Sequence, residues 1–303
     1  MKVDILVLNY NGRDLMKEYL PSICTAAERS AHECKVHVVD NQSKDGSIEM
    51  LRNDFDKVKL HQAPENKVLC SYNDVVKELD SEVVILLNND IKVEPDFADY
   101  LVERFDDRDV MFTAPMLKNF DGSYNGGKSL IRAEYGVIKI FVDEKNSSRA
   151  GRTMAIATGA FRRSLFVDLG GFDDLYLPGI WEDVDLCFRG LKRGLKGEYE
   201  PRSVIWHDES TTFNREYGAK KKLCLAHRNM FLFFWKNIHD PVLIAGHILF
   251  LPLRLVYSVL RGKPELVQGF FMAIRKLPEA LKKRRDGGKD KMFEKLEDRD
   301  IIL

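Results

Sequence analysis

The chain is short of the features that assign a sequence quickly. Its 303 residues hold five cysteines, Cys24, Cys34, Cys70, Cys187 and Cys224, an odd number with no Cys-x-x-Cys spacing. That argues against a disulfide framework or a zinc site and points to free thiols in a reducing compartment. Charge of one sign is not in excess. The 47 Lys and Arg balance 47 Asp and Glu, so no global field argues for nucleic acid. No Gly-x-Gly-x-x-Gly follows the first apolar run, which counts against a dinucleotide-binding oxidoreductase. The opening MKVDILVLNY lacks a signal-peptide layout, because its short apolar run is broken by Asp4 and no small-residue cleavage site follows. Long apolar runs are also scarce. Residues 241–260, PVLIAGHILFLPLRLVYSVL, have the length of a membrane span, but His247, Pro252 and Arg254 interrupt them, and central charge is costly in a bilayer.

What is present is a rhythm of short apolar runs. Ile5–Leu8, Val36–Val39 and Val83–Leu87 are β-branched or Leu-rich and do not alternate, the pattern of strands covered on both faces. Between the first two, about Arg13 to Ala27 reads as helix. After the second, Asp45-Gly46-Ser47 marks a turn and cap, and Ile48, Met50, Leu51 and Phe55 continue as an amphipathic helix. Strand, helix, strand, helix predicts an α/β fold whose doubly wound, mostly parallel sheet is flanked by helices. Residues 112–160, with Gly and Asn at 121–127 and charge and Ser at 143–152, read as irregular loops with a few strands.

Each early run stops in polar groups. The first gives Asn9, Tyr10, Asn11 and Gly12; the second Asp40, Asn41, Gln42 and Ser43; the third Asn88, Asn89 and Asp90. A single polar strand end is usually the start of a loop. Three in a row predict a ligand site, since open α/β sheets bind ligands at that edge.

Further on, WEDVDLCFR at 181–189 sets Val184, Cys187 and Leu191 on one helical face, with Glu182, Asp183 and Asp185 in the first turn. Acids there ordinarily cap free N–H groups and oppose the helix dipole. Three of them beside Trp181, after a Pro-Gly loop, exceed that need, and a partly desolvated one could serve as a general base. His207 follows the apolar Val204, Ile205 and Trp206. A lone His is more often structural than a ligand. Yet it ends a strand-like segment as Asp90 does, and if the two converge they could share a divalent cation with a diphosphate.

Taken in order, Asn9–Gly12, VVDNQSKDGS (38–47), LLNND (86–90), TGA (158–160), GGFDD (170–174) and WEDVDLCFR resemble the motifs of family 2 glycosyltransferases of the GT-A fold, in the branch similar to bacterial rhamnosyltransferases. The resemblance covers about residues 3–235. It implies an inverting transfer of a sugar, hexosyl or rhamnosyl, from a dTDP-, UDP- or GDP-linked donor to an acceptor hydroxyl. It places Asn9, Tyr10, Asn11, Asp40 and Asn41 around the nucleoside and Asn88 and Asn89 near the diphosphate. Asp90 and His207 would hold Mg²⁺ or Mn²⁺, with Thr158, Gly159 and Ala160 bordering the donor sugar. Asp183 would be the general base, supported by Glu182. One base and one metal-held leaving group are what a single inverting displacement needs. Two departures stand out. The glycine-rich segment of many relatives reads NKVLCSYND here (66–74), keeping only Asn66 and Asn73, and the first position of the acidic metal motif is Asn88, leaving one charge fewer.

The expected organisation is a catalytic domain over 1–235, with a nucleotide-sugar half to about 110 and an acceptor half after it, then a helical tail over 236–303. From Arg254 to Arg285 nine Lys and Arg stand against two Glu. His247, Arg254, Ser258 and Arg261 share one helical face, while Leu249, Leu253, Val256 and Leu260 make a broad apolar surface elsewhere. Leu266, Phe270, Ile274, Leu277 and Leu281 form a second stripe, closed by Lys282–Arg285. Such helices suit a membrane-surface anchor; the alternative is packing on the catalytic domain or in a homo-oligomer. The anchor reading puts the protein in the cytoplasm at the inner face of the membrane, with a lipid-linked saccharide acceptor in cell-surface polysaccharide synthesis. The charged end, 286–303, is expected to fray or form a short helix. The competing functional reading is an inactive membrane-bound partner subunit that keeps the nucleotide-sugar fold.

Overall fold

The computed structural model describes residues 1–156, 158–207, 211–287 and 294–302. Its elements in chain order are β1 (Lys2–Asn9), α1 (Arg13–Arg29), β2 (Glu33–Asp40), α2 (Ser47–Asp54), β3 (Lys59–Gln62), α3 (Tyr72–Glu78), β4 (Val83–Asn88), β5 (Ile91–Val93), α4 (Phe97–Glu103), β6 (Val110–Lys118), β7 (Tyr124–Gly126), β8 (Ser129–Glu134), β9 (Val137–Val142), β10 (Gly151–Arg152), β11 (Gly159–Arg162), α5 (Arg163–Asp168), α6 (Glu182–Lys192), β12 (Lys196–His207), α7 (Thr211–Asn237), α8 (Pro241–Leu260), α9 (Glu265–Asp286) and α10 (Asp298–Ile301).

The main sheet runs β10-β12-β6-β11-β4-β1-β2-β3, with β5 on β12 and β7 on β6. β3, β2, β1 and β4 are parallel, as are β6 and β12, and β11 lies antiparallel between β4 and β6. Of these seven strands β11 alone runs against the rest, so the expected mostly parallel sheet is what forms. Ile5–Leu8 of β1, Val38 and Val39 of β2 and Val83–Leu87 of β4 are apolar because both faces of the sheet are covered there. Val3, Ile5 and Val7 pack with Met16, Leu20 and Ile23 of α1 on one side, while Leu6, Val39, Val84 and Leu86 face the core of α3 and the later helices on the other.

Two expectations need correction, and one strand was not foreseen. Residues 112–160 are not mainly loop but carry β6 to β11. After β6 the strands are short, and β8 and β9 are joined by a tight hairpin at Tyr135-Gly136, both at positive φ (47° and 77°), so no later run is long enough to stand out. β3, KLHQ, is a polar edge strand with no apolar signal. The boundary at 235/236 falls inside α7, and Leu266, Ala273 and Ala280 of α9 with Ile301 of α10 join the larger core. Of the charged end, α10 confirms a short helix, while 288–293 and 303 lie outside the described residues.

α6 is fastened to α7 by one buried carboxylate. Asp185 accepts hydrogen bonds from Tyr176 Oη (2.8 Å), Arg189 Nε (2.7 Å), Lys236 Nζ (2.7 Å) and Asn237 Nδ2 (2.8 Å). Lys236 also reaches Asp173 at 2.6 Å. Lys236 and Arg189 hold the Asp185 carboxyl below its ordinary value against the burial that would raise it. Removing one member of such a group strands its partners in the interior. Asp185→Ala is therefore expected to cost about 3–5 kcal/mol of stability, read by urea unfolding of the full chain.

Candidate active site

The carboxyl ends of β1, β2 and β4 are brought together by strand register. β1 pairs with both neighbours, setting Asn9 opposite Asp40 and Leu8 opposite Asn88. Asn9 then bridges them. Its Nδ2 donates to Asp40 Oδ2 (2.9 Å) and Ser43 Oγ (3.1 Å), and its Oδ1 accepts from Asn89 Nδ2 (2.9 Å). The loops close around this pair: the Ser43 N–H donates to Asp40 Oδ1 (2.8 Å), the Asn11 N–H to Ser43 Oγ (2.9 Å) and the Lys44 N–H to Asn11 Oδ1 (2.8 Å). A Cβ on Gly12 would come within 2.0 Å of Asn89 Nδ2, so the close approach of that loop requires glycine. Asn9, Asp40, Asn41 and Asn89 are buried; Tyr10, Asn11 and Asn88 at the rim are half-buried.

The neighbouring strand adds the TGA segment. The antiparallel register Gly159↔Leu86 and Ala160↔Ile85 brings Thr158 to the Asn88 end of β4. Gly159 is needed there because a Cβ would meet the Thr113 carbonyl oxygen at 2.3 Å.

The convergence that sequence left open is present. β5 pairs with the end of β12, His207 against Ile91, and His207 Nε2 lies 3.3 Å from Asp90 Oδ1. That oxygen is buried and has no hydrogen-bond partner, a costly state for a carboxylate unless a cation is to meet it. Among the described residues no three His, Cys, Asp or Glu side chains gather as a metal cluster. Asp90 and His207 would offer a divalent ion one oxygen and one nitrogen ligand.

The third part is the start of α6. Two residues before it, Ile180 and Trp181, both take positive φ (73° and 84°), a strained state for bulky side chains. The strain is held from α7. Asn229 Nδ2 donates to the carbonyls of Tyr176 (2.8 Å), Gly179 (2.8 Å) and Ile180 (2.6 Å), and Arg228 Nη2 to those of Tyr176 (3.0 Å) and Leu177 (2.7 Å). This fixes the direction in which α6 begins and with it the three acids. Asp185 is consumed by Lys236 and Arg189. Glu182 is buried with Oε2 unpartnered, and burial followed by the charge of Asp183 pushes its carboxyl up to about 8. Asp183 is half-buried and accepts the Val184 N–H at 2.8 Å, and burial outweighs that bond to push it up to about 6. An acid poised there can take a proton near neutrality.

Two residues named from sequence are not drawn into the strand-end network. Asn66 Oδ1 accepts from the Val68 N–H at 3.0 Å in its own loop. Asn73 is clamped to Phe172, donating to its carbonyl (2.8 Å) and accepting its N–H (2.9 Å), which ties α3 to the GGFDD loop. Sequence reasoning also missed Ser43 as the hub of the first two loops, and Arg228 and Asn229 as holders of the α6 approach. The polar triplet His227-Arg228-Asn229 inside the otherwise apolar LCLAHRNMFLFF was the available signal.

The family model described as Glycosyl transferase family 2 matches residues 4–170. Two pre-mycofactocin glycosyltransferases of Mycobacterium tuberculosis are each 42% identical over 60 residues, 20% of this chain and 12% of theirs. The chain thus spans a small part of those relatives' length. Among solved structures, the complex of S. aureus TarS 1–349 with UDP-GlcNAc superposes with a TM-score of 0.59 at 15% identity, covering 92% of this chain and 82% of that one. GalNAc-T7 with UDP, GalNAc and Mn²⁺ superposes with a TM-score of 0.57 at 15% identity, covering 87% of this chain and 58% of that one. These likenesses bear out the GT-A fold.

The Glu182 carboxyl yields a stability test. The unfolded chain gives up that proton near the ordinary value of 4.5, whereas the folded chain keeps it to about 8. Between those pH values the folded state binds more protons, so this residue's contribution to stability falls as pH rises. Glu182→Gln should raise the thermal midpoint at pH 8 and leave it unchanged near pH 4, measured by calorimetry across the range.

Proposed function

The chain belongs to glycosyl transferase family 2, and from that membership we propose that it transfers a sugar, with inversion, from a nucleotide-diphosphate donor to an acceptor hydroxyl. The observation that carries this reading is the meeting of Asp90 and His207 at 3.3 Å on the same sheet edge as the Asn9–Asp40–Asn89 network. Asp40 and Asn41, at the end of β2, are suited to the base and ribose; Asn41 keeps a buried, unpartnered Oδ1 for such a contact. Asn88 and Asn89 supply neutral polar groups near the diphosphate, and Thr158, Gly159 and Ala160 border the sugar. The UDP and UDP-GlcNAc named for the structural neighbours make a uridine donor the first to try.

Asp183 takes the proton from the acceptor hydroxyl as its oxygen attacks the anomeric carbon. The bond from that carbon to the diphosphate oxygen breaks, and the leaving diphosphate keeps the electron pair. The proton then passes from Asp183 to solvent. Glu182, held neutral by burial, lets Asp183 carry the single negative charge of the pair. A Mg²⁺ or Mn²⁺ on Asp90 and His207 would neutralise the charge that develops on the diphosphate. The acceptor we assign is a lipid-linked saccharide, the transferred group a hexosyl or rhamnosyl unit, and the setting cell-surface polysaccharide synthesis at the inner face of the membrane. An inactive partner subunit is the weaker reading, because the raised carboxyl of Asp183 is the state a working base requires.

Asp183→Asn is expected to lower transfer about 10²–10⁴-fold while the donor still binds, measured by product formation and calorimetric titration. Wild-type kcat should fall as pH drops through about 6, where Asp183 becomes protonated, and level off above it. Unchanged turnover in the variant would remove the base assignment. Separately, Asp90→Ala should abolish the effect of Mn²⁺ and of chelator on UDP affinity, with no change in UDP affinity measured without metal. Equal metal dependence in variant and wild type would remove Asp90 from the ligand set.

A further inference from the structure

We propose that α8 and α9 together form a face that docks flat on an anionic lipid surface, with α8 lying in the plane of the interface and not across the bilayer. By length and composition α8 passes as a membrane span, so the direction of its two faces decides the matter.

α8 is turned inside out relative to a helix of a soluble protein. Its polar His247 is buried against the catalytic domain, and Ser258 is buried with its hydroxyl donating to the Lys263 carbonyl. The His247 ring accepts from Trp235 Nε1 (3.1 Å), meets the Gly136 carbonyl at the tip of the β8–β9 hairpin (2.5 Å) and stacks on Phe234 (4.2 Å). Arg254, the helix's one charged residue, is half-buried on the same side. The outward face carries Ile248, Leu249, Leu253, Val256, Tyr257 and Leu260, each 59–79% exposed. A spanning helix would have to give up the inward contacts.

α9 supplies the charge. Phe271, Ile274, Arg275, Pro278, Leu281, Lys282 and Arg285 are all exposed and recur at helical spacing, one face of apolar and cationic side chains. Within the Lys282–Arg285 run the helix divides its labour. Lys283 turns inward to Asp173 (2.7 Å) and Asp174 (2.6 Å), and Arg284 to the carbonyls of Trp235 (2.9 Å) and Ile238 (2.6 Å), leaving Lys282 and Arg285 outside. Arg261 and Lys263 at the turn between the helices are exposed as well. The apolar surface is concentrated: seventeen large hydrophobic side chains are exposed among the described residues, and eleven lie between Val242 and Leu281. A patch of that kind marks an interaction site.

Charge selects the occupant. Apolar residues interleaved with exposed cations match the acyl and headgroup layers of an anionic membrane. The same pattern in a two-fold dimer would set like charges against each other. The inference does not depend on the reaction proposed above, and its readout uses no catalysis.

The test is co-sedimentation of the full chain with vesicles of phosphatidylcholine alone or with roughly a third phosphatidylglycerol. Pelleting is expected with the anionic vesicles and release by alkaline carbonate. Lys282→Ala/Arg285→Ala should bind about thirtyfold more weakly, two basic residues' worth of attraction. Leu249→Glu/Leu253→Glu should not pellet. Four results would each overturn the proposal: equal binding to neutral vesicles, variants that bind as wild type, carbonate-resistant insertion, or a dimer by light scattering that Leu249→Glu/Leu253→Glu dissociates.

Discussion

The site at the sheet edge depends on a single amide. Asn9 sits where β1 ends, between its two parallel neighbours, and uses both ends of its side chain to join them. No other residue type of that length both donates and accepts. An aspartate in its place would repel Asp40, and a leucine would leave Asp40, Ser43 and Asn89 unsatisfied in the interior, where each unmade bond costs about 1–3 kcal/mol. The consequence spreads along the chain. Asn89 is fixed by Asn9, and its amide lies where any side chain on Gly12 would be, so Gly12 is dictated by a residue 77 positions away. Asp90 is the next residue along the chain, beside a side chain that Asn9 holds.

Set against that satisfied network are the polar atoms that go without. Among the described residues five buried side-chain atoms lack a hydrogen-bond partner, and three of them belong to Asn41, Asp90 and Glu182. Buried polar groups are nearly always paired, so unpaired ones concentrated on candidate ligand and catalytic residues are where a bound molecule would complete the structure. The strain at Ile180 and Trp181 belongs to the same class. It persists because Asn229 and Arg228 hold five bonds to the loop carbonyls, and it sits at the entry to the helix that carries Asp183.

Much of this was legible in the sequence because burial on both faces writes an unmistakable pattern. Ile5–Leu8 and Val83–Leu87 read as strands and are strands, and the polar residues that follow each of them mark the sheet edge. What stayed hidden has physical causes. β3 is a polar edge strand whose side chains are never fully buried, so KLHQ shows no hydrophobic signature. The short strands from β7 to β11 are interrupted by turns before any period can build up. The meeting of Asp90 with His207 depends on β5 pairing antiparallel with the far end of β12, a contact across 117 residues that no local pattern encodes. In the tail, Leu249, Leu253, Val256 and Leu260 of α8 lie outside as one apolar surface, whereas the stripe read along α9 splits, Leu266 joining the core while Ile274 and Leu281 lie exposed. The polar stripe through His247 and Arg254 was visible, whereas its partner, the Tyr135-Gly136 hairpin, lay in the stretch that seemed patternless.

The three acids of α6 show what such pattern reading leaves undecided. Glu182, Asp183 and Asp185 stand in one helical turn and present the same chemistry on paper. Their environments separate them by what each can reach. Asp185 points to α7, meets Lys236 and Arg189, and is an ion-pair anchor whose proton is lost well below neutrality. Glu182 is buried with its Oε2 unpartnered, and burial pushes its carboxyl up to about 8. Asp183, between them in sequence, keeps partial access to solvent and lands near pH 6. A helix turn rotates successive residues by about 100°, so three adjacent acids must face three different surroundings. The division among anchor, neutral neighbour and base is therefore set by what packs around α6, chiefly Lys236 and the loop that Asn229 holds.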